Sequence, residues 1–249
     1  MMSAKACNGH AQGERPPLAG RQTMAPLARR AVPAQTALED TATPETGRQV
    51  RKSAATRARL IEATISCLVK HGYARTVTPL VAAEAGLSRG AMLHHFANGD
   101  ALIRATIAEL HERRLNAFRR ASQAHEGDVR AMVRGYWQQL QKPGFIAFQE
   151  LAMAARTDPG LAAILLPLQD EFAQKFQALA GQLYPEWTGK PGRFDLAMAL
   201  SQTLMEGMRI ASFTGAMDDR LIEPLLDFLE GSVKYLRPDG SSAATTEQA

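Results

Sequence analysis

The sequence predicts an all-α protein: a three-helix head containing a helix-turn-helix, a long connecting helix, and a helical body. Two observations lead there. The chain holds 27 Leu against eight Val and eight Ile, with no alternating apolar and polar runs from which a sheet could be built. From Arg51 onward, apolar residues recur at three- and four-residue spacing, in segments bounded by Gly, Pro and capping residues.

With 249 residues and 45% hydrophobic content, the chain can bury one substantial core, or a small domain plus a larger one. Two cysteines, Cys7 and Cys67, are too few and too far apart for a disulfide framework, and no window reaches membrane-spanning length. A reducing cytoplasmic setting is the expectation. The net charge of +4 is unevenly spread: residues 1 to 60 hold ten Lys/Arg and four Asp/Glu, leaving 19 against 21 for the remainder. Residues 1–50 are rich in Ala, Pro, Thr, Gly and Arg without a helical or strand period, which reads as a disordered basic arm. The arm lacks the amphipathic period of a transit peptide, and a start at Met24 is an alternative to Met1.

In order, "TRARLIEATISCLVKHG" places Leu60, Ile61, Ile65, Leu68 and Val69 on one helical face and stops at Gly72. "TVTPLVAAEAG" predicts a short second helix with Thr78 as cap, Pro79 in its first turn, and a stop at Gly86. After Gly86, Leu87 and Ser88, with Ser88 as cap, "RGAMLHHF" predicts a third short helix whose Met92 and Phe96 face inward. Two short helices across a glycine-containing turn form a helix-turn-helix.

The pentapeptide Gly86-Leu-Ser-Arg-Gly90 also fits a hydrolase nucleophile elbow, which would make Ser88 a catalytic nucleophile. An elbow needs a strand running into the serine, whereas "VAAEA" is an alanine-rich helix former. Ser88 is therefore expected to cap, and no enzyme activity or cofactor is expected. His94 and His95 are adjacent, point about 100° apart on a helix, and lack an acidic or cysteine partner at ligand spacing, so no metal is expected.

The stretch "GYARTVTPLVAAEAGLSRGAMLHHFANGDALI" resembles the DNA-binding domain of the TetR-type bacterial transcriptional regulators. The resemblance spans about residues 56–107 and rests on Gly72-Tyr73, Thr76, the A-x-x-A-G-L-S turn from Ala82 to Ser88, Arg89-Gly90, and His95-Phe96. It implies a DNA-binding head at 51–107 and a helical effector-binding and dimerisation body at 108–237, with a disordered tail at 238–249. It also implies a homodimer that reads a palindrome in double-stranded DNA.

A recognition helix presents its N-terminal residues to base edges in the major groove, here Ser88, Arg89, Gly90 and Ala91. Arg89 can fork onto guanine or grip a phosphate, Gly90 lets the backbones approach, and helix-terminal amides favour phosphate. Thr76 and Thr78 offer hydroxyls and amides to the DNA backbone, His94 or His95 reaches from further along, and Arg57 belongs to a basic set with Arg48, Arg51, Lys52 and Arg59. Two positions depart from the family pattern: Leu93 stands where Tyr is usual and Gly99 where Lys is usual, so two phosphate contacts are missing. The basic arm is the expected compensation.

"DALIRATIAELHERRLNAFRRASQAH", residues 100–125, predicts one long helix with Ile103, Ile107, Leu110 and Phe118 on one face, and with Arg113, Arg114, Arg119 and Arg120 as a solvated face. Further helices follow at 128–141, 144–156, 160–183, 193–215 and 219–236, with Pro167 expected to kink or split the third. Apolar or flexible residues Trp137, Phe145, Phe148, Met153, Phe172 and Met205 are candidates for lining a small-molecule pocket, with Gln149, Gln202 and Arg209 as polar handles. Glu206 and Arg209 could instead pair on a helix surface. The last two helices carry wide apolar faces with small residues Ala199, Ser201, Gly207 and Ala211, and in similar proteins they form a four-helix dimer interface.

The resulting expectation is a ligand-responsive repressor released from DNA by a small-molecule effector. The alternative is a helical adaptor that binds another protein through its C-terminal helices.

Overall fold

The computed structural model describes residues 44–124, 127–187, 189 and 191–238. Most of the arm expected at 1–50 and of the tail expected at 238–249 lies outside the described residues. The exceptions correct the arm boundary: residues 44–50 are helical, the first turns of α1, Pro44–His71. Pro44 suits a helix start because its missing N–H costs nothing in the first turn.

Among the described residues the structure is all-helical. After α1 and a single 3-10 turn come α2, Thr78–Glu84, α3, Arg89–Leu93, and α4, Gly99–Ala124. The body continues with α5, Val129–Leu140, α6, Pro143–Ala155, α7, Pro159–Leu183, α8, Pro191–Ser212, and α9, Ile222–Leu236.

The turn between α2 and α3 is dictated locally. Gly86 takes a φ of 61°, its N–H donates to the Ala83 carbonyl at 2.9 Å, and the Leu87 N–H reaches back to the Ala82 carbonyl at 2.8 Å. Those two bonds satisfy the last carbonyls of α2 and need a left-handed residue, which glycine supplies without strain. Thr78 does not cap α2 as expected: Val77 occupies the cap position and no side chain accepts there. Pro79, with no N–H, already removes one of the donors that a cap would serve.

Two cores share α1. Its Leu60 and Cys67 pack with Val81, Met92, Phe96 and Leu102 to form the head core. Its Ile65 and Leu68 pack with Ile107, Leu110, Leu151 and Leu165 of α4, α6 and α7. A third core joins α5, α8 and α9 through Val133, Met205, Leu226 and Leu229.

Pro167 does not split α7, which runs unbroken from Pro159 to Leu183. One lost backbone bond is tolerated because Leu161, Ile164, Leu165 and Phe172 bury the same helix on both sides of the proline. Asp158 caps this helix, accepting from Leu161 N at 3.0 Å, and also accepts from the Tyr73 hydroxyl of the head at 3.2 Å. The Leu161 amide, with the Tyr73 hydroxyl, holds its carboxyl below the usual carboxylate range.

Between α4 and α7, the buried His111 ring stacks on Phe172 at 4.6 Å and lies 5.3 Å from Phe148. Burial, and the Arg114 charge next to it, lower its pKa from 6.5 to about 4. The unfolded chain therefore binds this proton more readily than the folded one, so the stabilisation is complete above pH 6.5 and is lost as the pH falls toward 4. Thermal unfolding should show a falling Tm across that window, and His111→Phe should flatten the fall; identical slopes in the two chains would contradict this account.

Candidate functional site

The outward face of α3 is built on a buried anchor. Met92 is 0% and Phe96 3% exposed, fixed in the head core, which turns Ser88, Arg89, Gly90 and His94 outward into solvent. The Ser88 hydroxyl accepts the Ala91 N–H at 3.1 Å and caps the helix. That hydroxyl is engaged in capping, and a helix rather than a strand precedes it, so the surroundings are not those of a nucleophile elbow.

The remaining head candidates divide by what already holds them. Thr76 donates its hydroxyl to the Gly72 carbonyl at 2.8 Å, and Thr78 lies half-buried near Gly99. Ala91 and His95 are half-buried. Arg57 donates to the His95 carbonyl and lies 4.2 Å over the Phe96 ring, so this guanidinium clamps the end of α3 to α1. Arg59 similarly donates to the Gly86 carbonyl of the turn, at 3.3 Å. Leu93, at the position of the family's usual Tyr, is 44% exposed on the same side of the head core boundary.

Two of the cavities among the described residues border α4. The first, about 360 Å³, lies among α4, α5, α8 and the segment after α7; the second, about 310 Å³, lies among α1, α4, α5 and α6. They share Ala117, Tyr136 and Gln139 as common wall. Of the residues expected to line a pocket, Met205 lines the first, and Phe145, Phe148 and Gln149 line the second.

The other candidates line neither of these two cavities. Trp137 packs in the α5, α8 and α9 core, Phe172 packs beside Leu115, and Gln202 is half-buried on α8. Met153 is 63% exposed on the outer face of α6. Arg209 donates to the Leu140 carbonyl at 3.2 Å and lies 4.7 Å over the Phe213 ring. It is not engaged with Glu206, whose carboxylate accepts from the Tyr136 hydroxyl at 2.8 Å and lies 3.6 Å from Arg114. Burial and that carboxylate push the Tyr136 hydroxyl pKa up.

Sequence reasoning missed most of the first cavity. Met132 and Tyr136, and Met198 and Met205, are spaced to share a helical face, and that recurrence of flexible and aromatic residues was the available signal. Arg114 was also misread as solvated: its guanidinium lies 4.7 Å over Phe172 and 5.4 Å from Phe148, inside the aromatic cluster.

A short capped helix, anchored on one side and presenting small, hydroxylated and cationic residues on the other, across a four-residue turn from its neighbour, defines a helix-turn-helix DNA-binding protein. The comparisons agree. Residues 60–106 match the profile described as bacterial regulatory proteins, tetR family. The HTH-type transcriptional regulator TtgR of Pseudomonas putida is 35% identical over 102 residues, covering 41% of this chain and 45% of that protein, so the match spans under half of that relative. The HTH-type transcriptional repressor AcnR of Corynebacterium efficiens is 27% identical over 187 residues, covering 74% of this chain and 94% of that protein. A TetR family transcription regulator from Marinobacter aquaeolei has the same fold, with a TM-score of 0.56 at 19% identity over 74% of this chain and 97% of that one. Residues 60–106 thus carry a tetR-family DNA-binding domain, in a chain with the fold of solved TetR-family regulators.

A Cβ added at Gly90 would come no closer than 3.9 Å to the Ser88 hydroxyl, so the fold has no need of glycine there. Gly90→Ala should keep or raise stability, by up to roughly 1 kcal/mol, because alanine favours the helix. The same substitution should weaken DNA binding severalfold, since the space it fills is where a DNA backbone would approach. A gel-shift titration beside a thermal melt checks both, and unchanged DNA affinity would remove Gly90 from the interface.

Proposed function

We propose that the protein is a homodimeric repressor that holds a palindromic operator through its two α3 helices and lets go when a small-molecule effector occupies the body. The observation that carries the DNA half of this reading is the exposed Ser88-Arg89-Gly90 tip of α3, standing on the buried Met92 and Phe96. Arg89 provides the fork that guanine recognition uses, and Ala91, Thr76, Thr78, His94 and His95 flank it. Repression is supported by AcnR, a relative named as a repressor.

Self-association is supported by apolar side chains left in solvent on the last two helices. Phe228 is 64% exposed and Tyr235 72% on α9, while Leu196 at 56% and Ile210 at 46% stand out from α8. Gly207 and Gly231 have open space where a Cβ would sit, which allows a second copy to approach closely. An apolar surface of this kind is an expected protein interface, and a two-fold partner is what a palindrome requires.

Effector response is supported by the wiring of α4. Arg113 pairs with Glu62 on α1 of the head, and the next residue, Arg114, reaches Glu206 on α8 and through it Tyr136 in the wall between the cavities. A ligand that displaces that wall moves a helix that also holds the head. It need only bind one arrangement of heads better than the other.

The test is selection of bound fragments from a random DNA pool by the purified protein at near-physiological salt. A palindrome should emerge, and Arg89→Ala should weaken binding to it by about 1–3 kcal/mol while erasing preference at one position per half-site. Recovery of only salt-sensitive, unspecific DNA would overturn the reading in favour of an adaptor that uses α8 and α9. Separately, Phe228→Glu should shift the protein from dimer to monomer in sedimentation and weaken operator binding; a dimer that survives this change places the interface elsewhere.

A further inference from the structure

The lining of the first cavity specifies a class of effector. Five aromatic rings, Phe118, Tyr136, Tyr184, Trp187 and Phe194, surround it in a chain that is only 6% aromatic. Met132, Met198 and Met205 fill between them, and sulfur and ring edges together favour flat, polarisable guests over branched aliphatic ones. The volume of about 360 Å³ is within the range of small-molecule sites.

Charge sets the second requirement. Among the described residues no Asp or Glu lines this cavity, whereas two arginines do, Arg120 and Arg237. Arg237 is satisfied: it donates to the Gly127 carbonyl at 2.9 Å and to Glu186 at 3.0 Å. Arg120, exposed on α4, has no ion pair or hydrogen bond among the described residues. The Gln138 and Gln139 amides line the same space and can donate to an acceptor. The Tyr184 hydroxyl, directed at the Met132 sulfur 3.2 Å away, meets only a weak acceptor there. The cavity thus offers an aromatic interior, donors, and, among the described residues, one unpaired positive charge and no carboxylate to receive a cation.

We infer that the effector is a flat aromatic acid, its rings among the aromatic and methionine side chains and its anionic group held by Arg120. This rests on the effector reading above and narrows it. An ammonium-bearing ligand finds no carboxylate among the described lining residues and is repelled by the Arg120 charge, and a neutral amide of the same shape forgoes the charge-assisted bond to the guanidinium.

The experiment is calorimetric titration of the full chain with three probes of one shape: 1-naphthoate, 1-naphthamide and 1-naphthylmethylammonium. Naphthoate should bind most tightly and the ammonium least. Arg120→Gln, a change at an exposed position, should weaken naphthoate about fivefold, the effect of one partly exposed ion pair. The same variant should leave the amide within about twofold, and Met198→Trp should fill the cavity and abolish binding of all three. Equal affinity for the three probes, equal weakening of all three by Arg120→Gln, or no binding of any would overturn the assignment. Operator release is measured separately: charge-selective binding without release overturns the effector role and leaves the ligand class standing.

Discussion

A recognition helix of five residues cannot hold itself together in water, because nucleation costs more than so few backbone bonds return. Everything around α3 serves to hold it. Ser88 satisfies a free amide at its start, Met92 and Phe96 sink into the head core, and Arg57 clamps the far end by covering Phe96 and binding the His95 carbonyl. Burying two large apolar side chains supplies on the order of 3–6 kcal/mol before entropy is counted, well above the contribution of the cap. Of the outward residues, Ser88 has the capping duty, whereas Arg89 and Gly90 make none of these holding contacts, which leaves them available for the DNA contact proposed above.

The same anchoring explains why the head is not independent of the body. Helix α1 gives Leu60 and Cys67 to the head core and Ile65 and Leu68 to the body core, so one rigid element belongs to both. Helix α4 does the same with charge, sending Arg113 to Glu62 and Arg114 to Glu206. Exposed ion pairs contribute little stability. Their geometric consequence is larger, because adjacent residues on one helix contact both the head and the cavity wall.

The head was legible in the sequence because its signals are local: Gly86 for a left-handed stop, Ser88 for a cap, Met92 and Phe96 one turn apart for an inward face. Helix positions in the body were legible for the same reason, from Pro, Gly and Asp at their ends. The errors have a common cause in tertiary packing that periodicity does not encode. Arg57 looked like a DNA-contacting charge and Arg114 like a solvent-facing one, and each covers an aromatic ring contributed by a distant segment. Met153 looked like pocket lining and faces solvent, because α6 is so apolar that its sequence marks no single buried side. Pro167 looked like a break, and the burial of α7 on both sides of it outweighs one missing backbone bond. The cavity residues were least legible, since Tyr184 and Trp187 lie beyond the end of a helix and meet α5 and α8 only in the folded chain.

The central claim is that the N-terminal tip of α3 enters a major groove. Methylation interference on a bound DNA fragment tests it most directly, because a methyl on guanine N7 projects into the major groove and one on adenine N3 into the minor groove. The account predicts that N7 methylation blocks binding at guanines in two clusters about one helical turn or a multiple apart, and that Arg89→Ala relieves the block at one guanine in each. Interference confined to adenine N3, or spread evenly with no paired clusters, would contradict it.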